Sequence, residues 1–452
     1  MIRLTSNHEA TTVANTSIGA GSQMLRGHRS ARNPPATRYA RKAKWPATAR
    51  ARISRLKTAP IVSSAVLSAR CSALLVIGVL CAGSVSPTAG ATPADALRAI
   101  VTDTMRSEHL KSAIVKVTVD GSDLMTDAFG ESMTGVPATT DMHFRNGAVA
   151  ISYVSTLLLL LAEDCTVGLD DLLSTYLPDI PHADRVTLRQ LATMTSGYVD
   201  YVIDNTDFDE ALYRDPFRQW RPEELLPYAT SQPLQYQPGT NWNYAHTNYV
   251  LLGLALEKAT GEPMPKLLSD RVLGPLGLSE TRNSFTPEIP QPALHAFTAE
   301  RGRYEESTYW NPSWTITNGA IQTSTITDLA TTAVGIGTGK LLSEASFAEM
   351  LRTPPRGSTR PLPGCTTCAE LGDVYDYGMG LVVSGDWLLQ NPMFYGYAAL
   401  EAYLPSRGIA IAVAVTFEPG AFDDTGAYTN AADTLFRRLG AELAPENAPP
   451  VR

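Results

Sequence analysis

The chain has 452 residues, 44% apolar and 18% charged, which is ordinary for a globular protein and ample for a substantial core. The formal net charge of −8 hides an asymmetry: residues 1–91 carry 13 Lys/Arg and one acid, Glu9, while the remainder carries 24 basic and 44 acidic side chains, a net of −20. An acidic body without a basic stripe excludes a nucleic-acid-binding surface.

Residues 1–91 read as a leader. A basic stretch, Arg41–Lys57, precedes a short apolar run, Ser72–Ala82, and then small residues ending in Ala89-Gly90-Ala91. That order is a secretory signal with cleavage expected after Ala91, which predicts a secreted or envelope-associated protein. The apolar run is short for a membrane span and Arg70 stops its extension backwards; an uncleaved anchor is the competing expectation. Leu80 stands before Cys81, where a lipoprotein needs a small residue. Residues 1–57 are long for a signal, so translation is expected to start downstream of Met1.

Residues 92–452 form the expected folded domain. Ala94–His109 has the spacing of an amphipathic helix. Ala113–Asp120 and Leu124–Phe129 read as strands joined at Asp120-Gly121-Ser122-Asp123, a hairpin turn. Ala148–Glu163 is apolar nearly all round and predicts a buried helix. Thr187–Met194, Pro222–Thr230 and Thr247–Thr260 predict further helices, the last stopped by Gly261. Residues 200–245, rich in Asp, Pro, Tyr and Trp, read as loops and short helices. Tyr377–Val383, Ala398–Leu404 and Ile409–Thr416 predict strands, with Pro405–Gly408 turning between the last two, and Ala427–Leu439 predicts a closing helix. Strands at both ends around a helical middle of about 165–300 imply an α+β fold with an antiparallel sheet shared by the two chain ends. No internal repeat is present.

Three cysteines fall in the body: Cys165, Cys365 and Cys368. Cys365-Thr-Thr-Cys368 lies in a Pro/Gly-rich loop, unlike a redox motif at a helix start, and a local disulfide is expected. No further cysteine or histidine pair follows to complete a zinc site. No His-Glu-x-x-His, Gly-x-Ser-x-Gly or phosphate loop occurs, so no metal or cofactor is expected.

Residues 144–157, Phe-Arg-Asn-Gly-Ala-Val-Ala-Ile-Ser-Tyr-Val-Ser-Thr-Leu, resemble the nucleophile-helix segment of the β-lactamase-related, penicillin-binding serine hydrolases: class C β-lactamases, DD-peptidases and related esterases. The likeness extends in order through Leu169-Asp-Asp171, Tyr176-Leu-Pro178, Thr195-Ser-Gly197, Pro238-Gly239, Asn248–Gly253, Pro275–Leu278 and Gly319 with Thr323-Ser-Thr325. It implies the β-lactamase/DD-peptidase-like fold: an antiparallel sheet flanked by N- and C-terminal helices, with an all-α region and the active site between them.

The resemblance also locates what is missing. The family's Ser-x-x-Lys, which places a nucleophile and its base on one helical face, is here Ala148-x-x-Ile151. Its Tyr-x-Asn is Tyr244-Ala-His246, which keeps the tyrosine and offers His246 as a candidate substitute base; a loop histidine with a satisfied hydrogen bond is the plainer alternative. Its Lys/His-Thr/Ser-Gly falls on Gln390-Asn391-Pro392, counted back from Gly396-Tyr397. Glutamine supplies no cation, and proline lacks an N–H. Ser152, Ser155 and Ser196 read as packing serines, the first two lacking a lysine three residues on. The expectation is a catalytically impaired member, a pseudoenzyme, holding a cell-wall peptide, a small acyl ligand or a partner in the former cleft. The alternative is an active serine-type hydrolase with a non-standard catalytic set.

Overall fold

The computed structural model describes residues 92–283, 286–317, 322–354 and 357–451. The expected leader, the cleavage site expected at Ala91, and Gly319 lie outside the described residues.

Helix α1 (Pro93–Ser107) starts at a capping box between Thr92 and Asp95 and buries Leu97 and Val101. Strands β1 (Leu110–Val119) and β2 (Ser122–Met133) form the expected hairpin, turned at Asp120 and Gly121 with φ of 48° and 75°. Short strands β3 (Val136–Pro137) and β4 (Phe144–Arg145) lead to helix α2 (Val149–Glu163), which is almost wholly buried. The helical region follows: α3 (Leu188–Ala192), α4 (Thr206–Arg214), α5 (Pro222–Leu225), α6 (Pro227–Thr230), α7 (His246–Thr260), α8 (Met264–Leu268) and α9 (Gly274–Leu276). The helix expected over 222–230 is thus split at Pro227, which cannot donate into a continuing helix. Short strands β5 (Arg282–Asn283), β6 (Phe297–Thr298), β7 (Glu305–Glu306) and β8 (Gln322–Ser324) bring the chain back to helices α10 (Ile326–Gly337) and α11 (Glu344–Met350). The chain then completes the sheet with β9 (Asp376–Tyr377), β10 (Val382–Ser384), β11 (Trp387–Gln390), β12 (Met393–Phe394), β13 (Tyr397–Leu404) and β14 (Ile409–Phe417), before helix α12 (Ala431–Leu443).

The strand expected over 377–383 is therefore two antiparallel strands, β9 and β10, with Val382 opposite Tyr377. The apolar run masks a reversal through Gly378 and Gly380. Strand β11 carries no periodicity of its own, since four residues beside Pro392 give too short an alternation to stand out; only the motif resemblance puts Gln390 on a strand.

The large sheet runs β3-β2-β1-β14-β13-β11-β10-β9, with β12 paired to β13. Every residue of β14, Ile-Ala-Ile-Ala-Val-Ala-Val-Thr-Phe, is buried, because helices cover both sheet faces. Trp387 meets Phe436 of α12 on one face, at 5.1 Å between ring centroids. Tyr403 lies against Gly337 of α10 on the other. A second small sheet, β4-β8-β5, fixes the approach to α2: Phe144 pairs with Ser324 and Arg145 with Thr323.

Glu401 shares the Tyr403 face by the two-residue strand period. It is fully buried, with Oε1 unpaired, and burial pushes its carboxyl well above the glutamate range. A carboxyl raised on folding contributes stability below its unfolded pKa and loses it as pH rises. Glu401→Gln is accordingly expected to raise the melting temperature by about 1–4 °C near pH 8, with the gain vanishing toward pH 4. Thermal melts across that range check it; an equal gain at both ends would refute it.

Candidate active site

Two contacts join residues of the expected site: Pro392 lies against Gly147 at the start of α2, and Tyr244 lies beside His246. Asn146 anchors the entry to α2: its backbone N–H donates to the Gln322 carbonyl at 3.1 Å, and its Oδ1 accepts from Gln322 N–H at 3.1 Å. Arg145 is buried and donates to the Pro287 carbonyl at 2.6 Å; burial lowers its guanidinium to about 10. The Phe-Arg frame is therefore a structural brace.

Gly147 has φ of 53°, and a Cβ there would sit 2.6 Å from the Pro392 Cβ and 3.1 Å from the Phe394 ring. Thus Pro392 and Phe394 are packed directly against the start of the nucleophile-type helix, the neighbourhood expected of the third motif. Ala148 is the N-cap of α2, with no side-chain hydrogen bond, and remains partly exposed. Ile151, one turn on, is completely buried.

The other two third-motif side chains are engaged by the protein itself. The Gln390 amide donates to the Gly380 carbonyl at 2.7 Å. Asn391 donates to Asp433 of α12 at 3.1 Å, and its carbonyl accepts from Asn430 at 2.7 Å. The serines are likewise satisfied. Ser152 donates to the Val149 carbonyl at 2.7 Å, Ser155 bonds the Tyr249 hydroxyl at 2.7 Å, and Ser196 donates to Asn248.

Tyr244 sits immediately before α7, beside His246, with ring centroids 5.3 Å apart. Burial drives its phenol far above the ordinary tyrosine value, and the Asp200 carboxylate adds to the shift. Both effects disfavour the ionised form that a tyrosine base requires.

His246 is oriented by Asp200, which receives its Nδ1 at 3.1 Å and its backbone N–H at 3.0 Å. Asp200 carries no signal in the sequence, because its partner is distant in the chain and the 200–245 stretch lacks periodicity. Trp314 closes the remaining side: its ring centroid is 5.9 Å from His246, 6.3 Å from Phe394 and 5.5 Å from Tyr395, whose hydroxyl accepts its indole N–H. The segment carrying Trp314 reaches α7 because residue 253 is glycine; a Cβ there would fall 1.9 Å from Thr317 Oγ1.

The expected disulfide joins Cys365 and Cys368. Its loop lies along the segment leading into Tyr244: Cys368 bridges Asn243, Asn241 exchanges two hydrogen bonds with the Arg360 backbone, and Tyr375 packs on Trp242. Cys165 is a free, exposed thiol. Among the described residues no group of acidic, histidine and cysteine side chains is arranged to hold a metal. No described helix is long and apolar enough to cross a membrane.

A family model for Beta-lactamase matches residues 97–436. The chain belongs to this family. Penicillin-binding protein 4 of Amycolatopsis lactamdurans is 32% identical over 201 residues, covering 42% of this chain and 49% of the relative. Esterase EstB of Burkholderia gladioli is 30% identical over 215 residues, covering 44% and 55%. The chain thus spans about half the length of the curated relatives it matches. Among solved structures, the D-amino acid amidase of Ochrobactrum anthropi SV3 superposes with a TM-score of 0.64 at 22% identity, over 78% of this chain and 99% of that one, and so shares the fold. Other relatives include a D-alanyl-D-alanine-carboxypeptidase/endopeptidase of Escherichia coli, 29% identical over 193 residues, and the shared scaffold is an α+β one of antiparallel sheet and helices.

Proposed function

We propose that this β-lactamase-family protein is a catalytically impaired member that forms no acyl-enzyme and holds its ligand in the former cleft without covalent attachment. One observation carries the reading: the helix start presents the Ala148 methyl group, and the next turn presents Ile151 buried in apolar contact. A methyl group cannot attack a carbonyl, and an isoleucine cannot take or return a proton. The surroundings agree. Gln390 is bonded to a backbone carbonyl, and Pro392 fills the space beside Gly147.

A cell-wall peptide or a small acyl compound is the proposed ligand, in keeping with the penicillin-binding relatives. The export signal expected to end at Ala91 would deliver the protein to the cell envelope. Incubation of the purified full-length chain with a fluorescent penicillin is expected to give no covalently labelled band, while the same penicillin perturbs tryptophan emission through Trp314 and Trp242. A labelled band that disappears on mutating one serine would defeat the proposal in favour of an active serine-type hydrolase.

A further inference from the structure

Asp200 and His246 form a carboxylate–imidazole pair in the candidate site. Asp200 is 3% exposed, and its carboxylate accepts from the backbone N–H groups of Val202 at 3.3 Å, Ile203 at 3.2 Å and His246 at 3.0 Å. The fourth donor is His246 Nδ1–H, 3.1 Å from both carboxylate oxygens. With the proton on Nδ1, Nε2 keeps its lone pair. Tyr201, Tyr244 and Trp314 hold the ring on its other sides, with centroids 6.0, 5.3 and 5.9 Å away. The histidine side chain nevertheless keeps 14% of its exposure. A buried carboxylate that fixes one tautomer and one ring orientation is the arrangement that makes an imidazole a general base.

We infer that Asp200 and His246 activate a water molecule for direct attack on the acyl carbon of a small uncharged ester. This goes beyond non-covalent retention of a ligand. Ala148 offers no nucleophile, so the attacking oxygen is that of water. As it bonds to the acyl carbon, its proton passes to His246 Nε2. The carbon–oxygen bond to the leaving alcohol then breaks, and the alcohol oxygen takes the proton back from Nε2. The products are the carboxylic acid and the alcohol, and no bond to the protein forms. An uncharged substrate is specified because Asp200 is the charge nearest Tyr244 and His246, while the third-motif position of the family cation is the neutral Gln390. An ester is specified because an alkoxide departs more readily than an amide nitrogen without prior protonation.

The test uses the full-length protein with p-nitrophenyl acetate and butyrate. Hydrolysis should exceed that of an equal concentration of imidazole, run linearly from the first turnover, and leave no mass adduct. His246→Gln should lower the rate about tenfold or more. Asp200→Asn should lower kcat more than KM. Ser152→Ala and Ser155→Ala should change nothing. Should His246→Gln melt early, the near-isosteric Asp200→Asn carries the same decision. An unaltered rate in both variants, or a rate no higher than imidazole, overturns the inference alone. A stoichiometric burst with an adduct overturns it together with the non-acylating reading.

Discussion

Ala148→Ser combined with Ile151→Lys is expected to leave the protein unlabelled by penicillin and to lower its stability by about 3 kcal/mol or more. The double substitution restores the family's Ser-x-x-Lys on paper. Position 151, however, is completely buried on a helix whose neighbouring positions are also buried. The new lysine would either stay neutral or open the packing around α2. The third motif would still supply a glutamine and a proline in place of the family's cation and N–H. A melting temperature lowered by about 4 °C or more, with no labelled band, is the expected outcome. Acylation of the double variant would show that the rest of the cleft is intact and that only two side chains separate it from activity.

Gly147→Ala is the second substitution with a large expected effect, a loss of about 2–5 kcal/mol from two additive sources. The backbone at 147 is left-handed, which an alanine adopts at a cost of about 1–2 kcal/mol. Its Cβ would also overlap the Pro392 ring, which is rigid and tied through its carbonyl to Ala399 N–H at 3.0 Å. Chemical denaturation measures the loss directly. A change below about 1 kcal/mol would mean that the β11–β12 corner yields easily, and that Pro392 does not wall the helix start as described.

The sequence carried the scaffold further than the site. Phe144, Arg145 and Gly147 read as a frame because each answers a backbone or packing demand: a strand pair with Ser324 and Thr323, a buried brace to Pro287, and a left-handed turn against Pro392. The Asp120-Gly121 hairpin and the α7 stop at Gly261 were legible for the same local reasons. Positions 148, 151, 244, 246 and 390–392 could be placed by motif order, and the structure brings Tyr244 beside His246 and Pro392 beside Gly147. What could not be read were contacts between distant segments. Asp200 meets His246 across 46 residues, and Trp314 reaches the same ring from another loop. The turn of Asn391 toward Asp433 depends on where α12 lies, which no pattern near residue 391 reveals.

The pairing of β1 with β14 has a consequence for how the chain comes into being. The Ser112–Thr416 hydrogen bond, at 2.6 Å, links residues 304 positions apart, and β1 has β14 as its neighbour on one side throughout its length. The first hairpin is made early in synthesis but cannot complete the sheet until residue 417 has emerged. Such long-range closure slows folding and leaves apolar strand surface open in the interval.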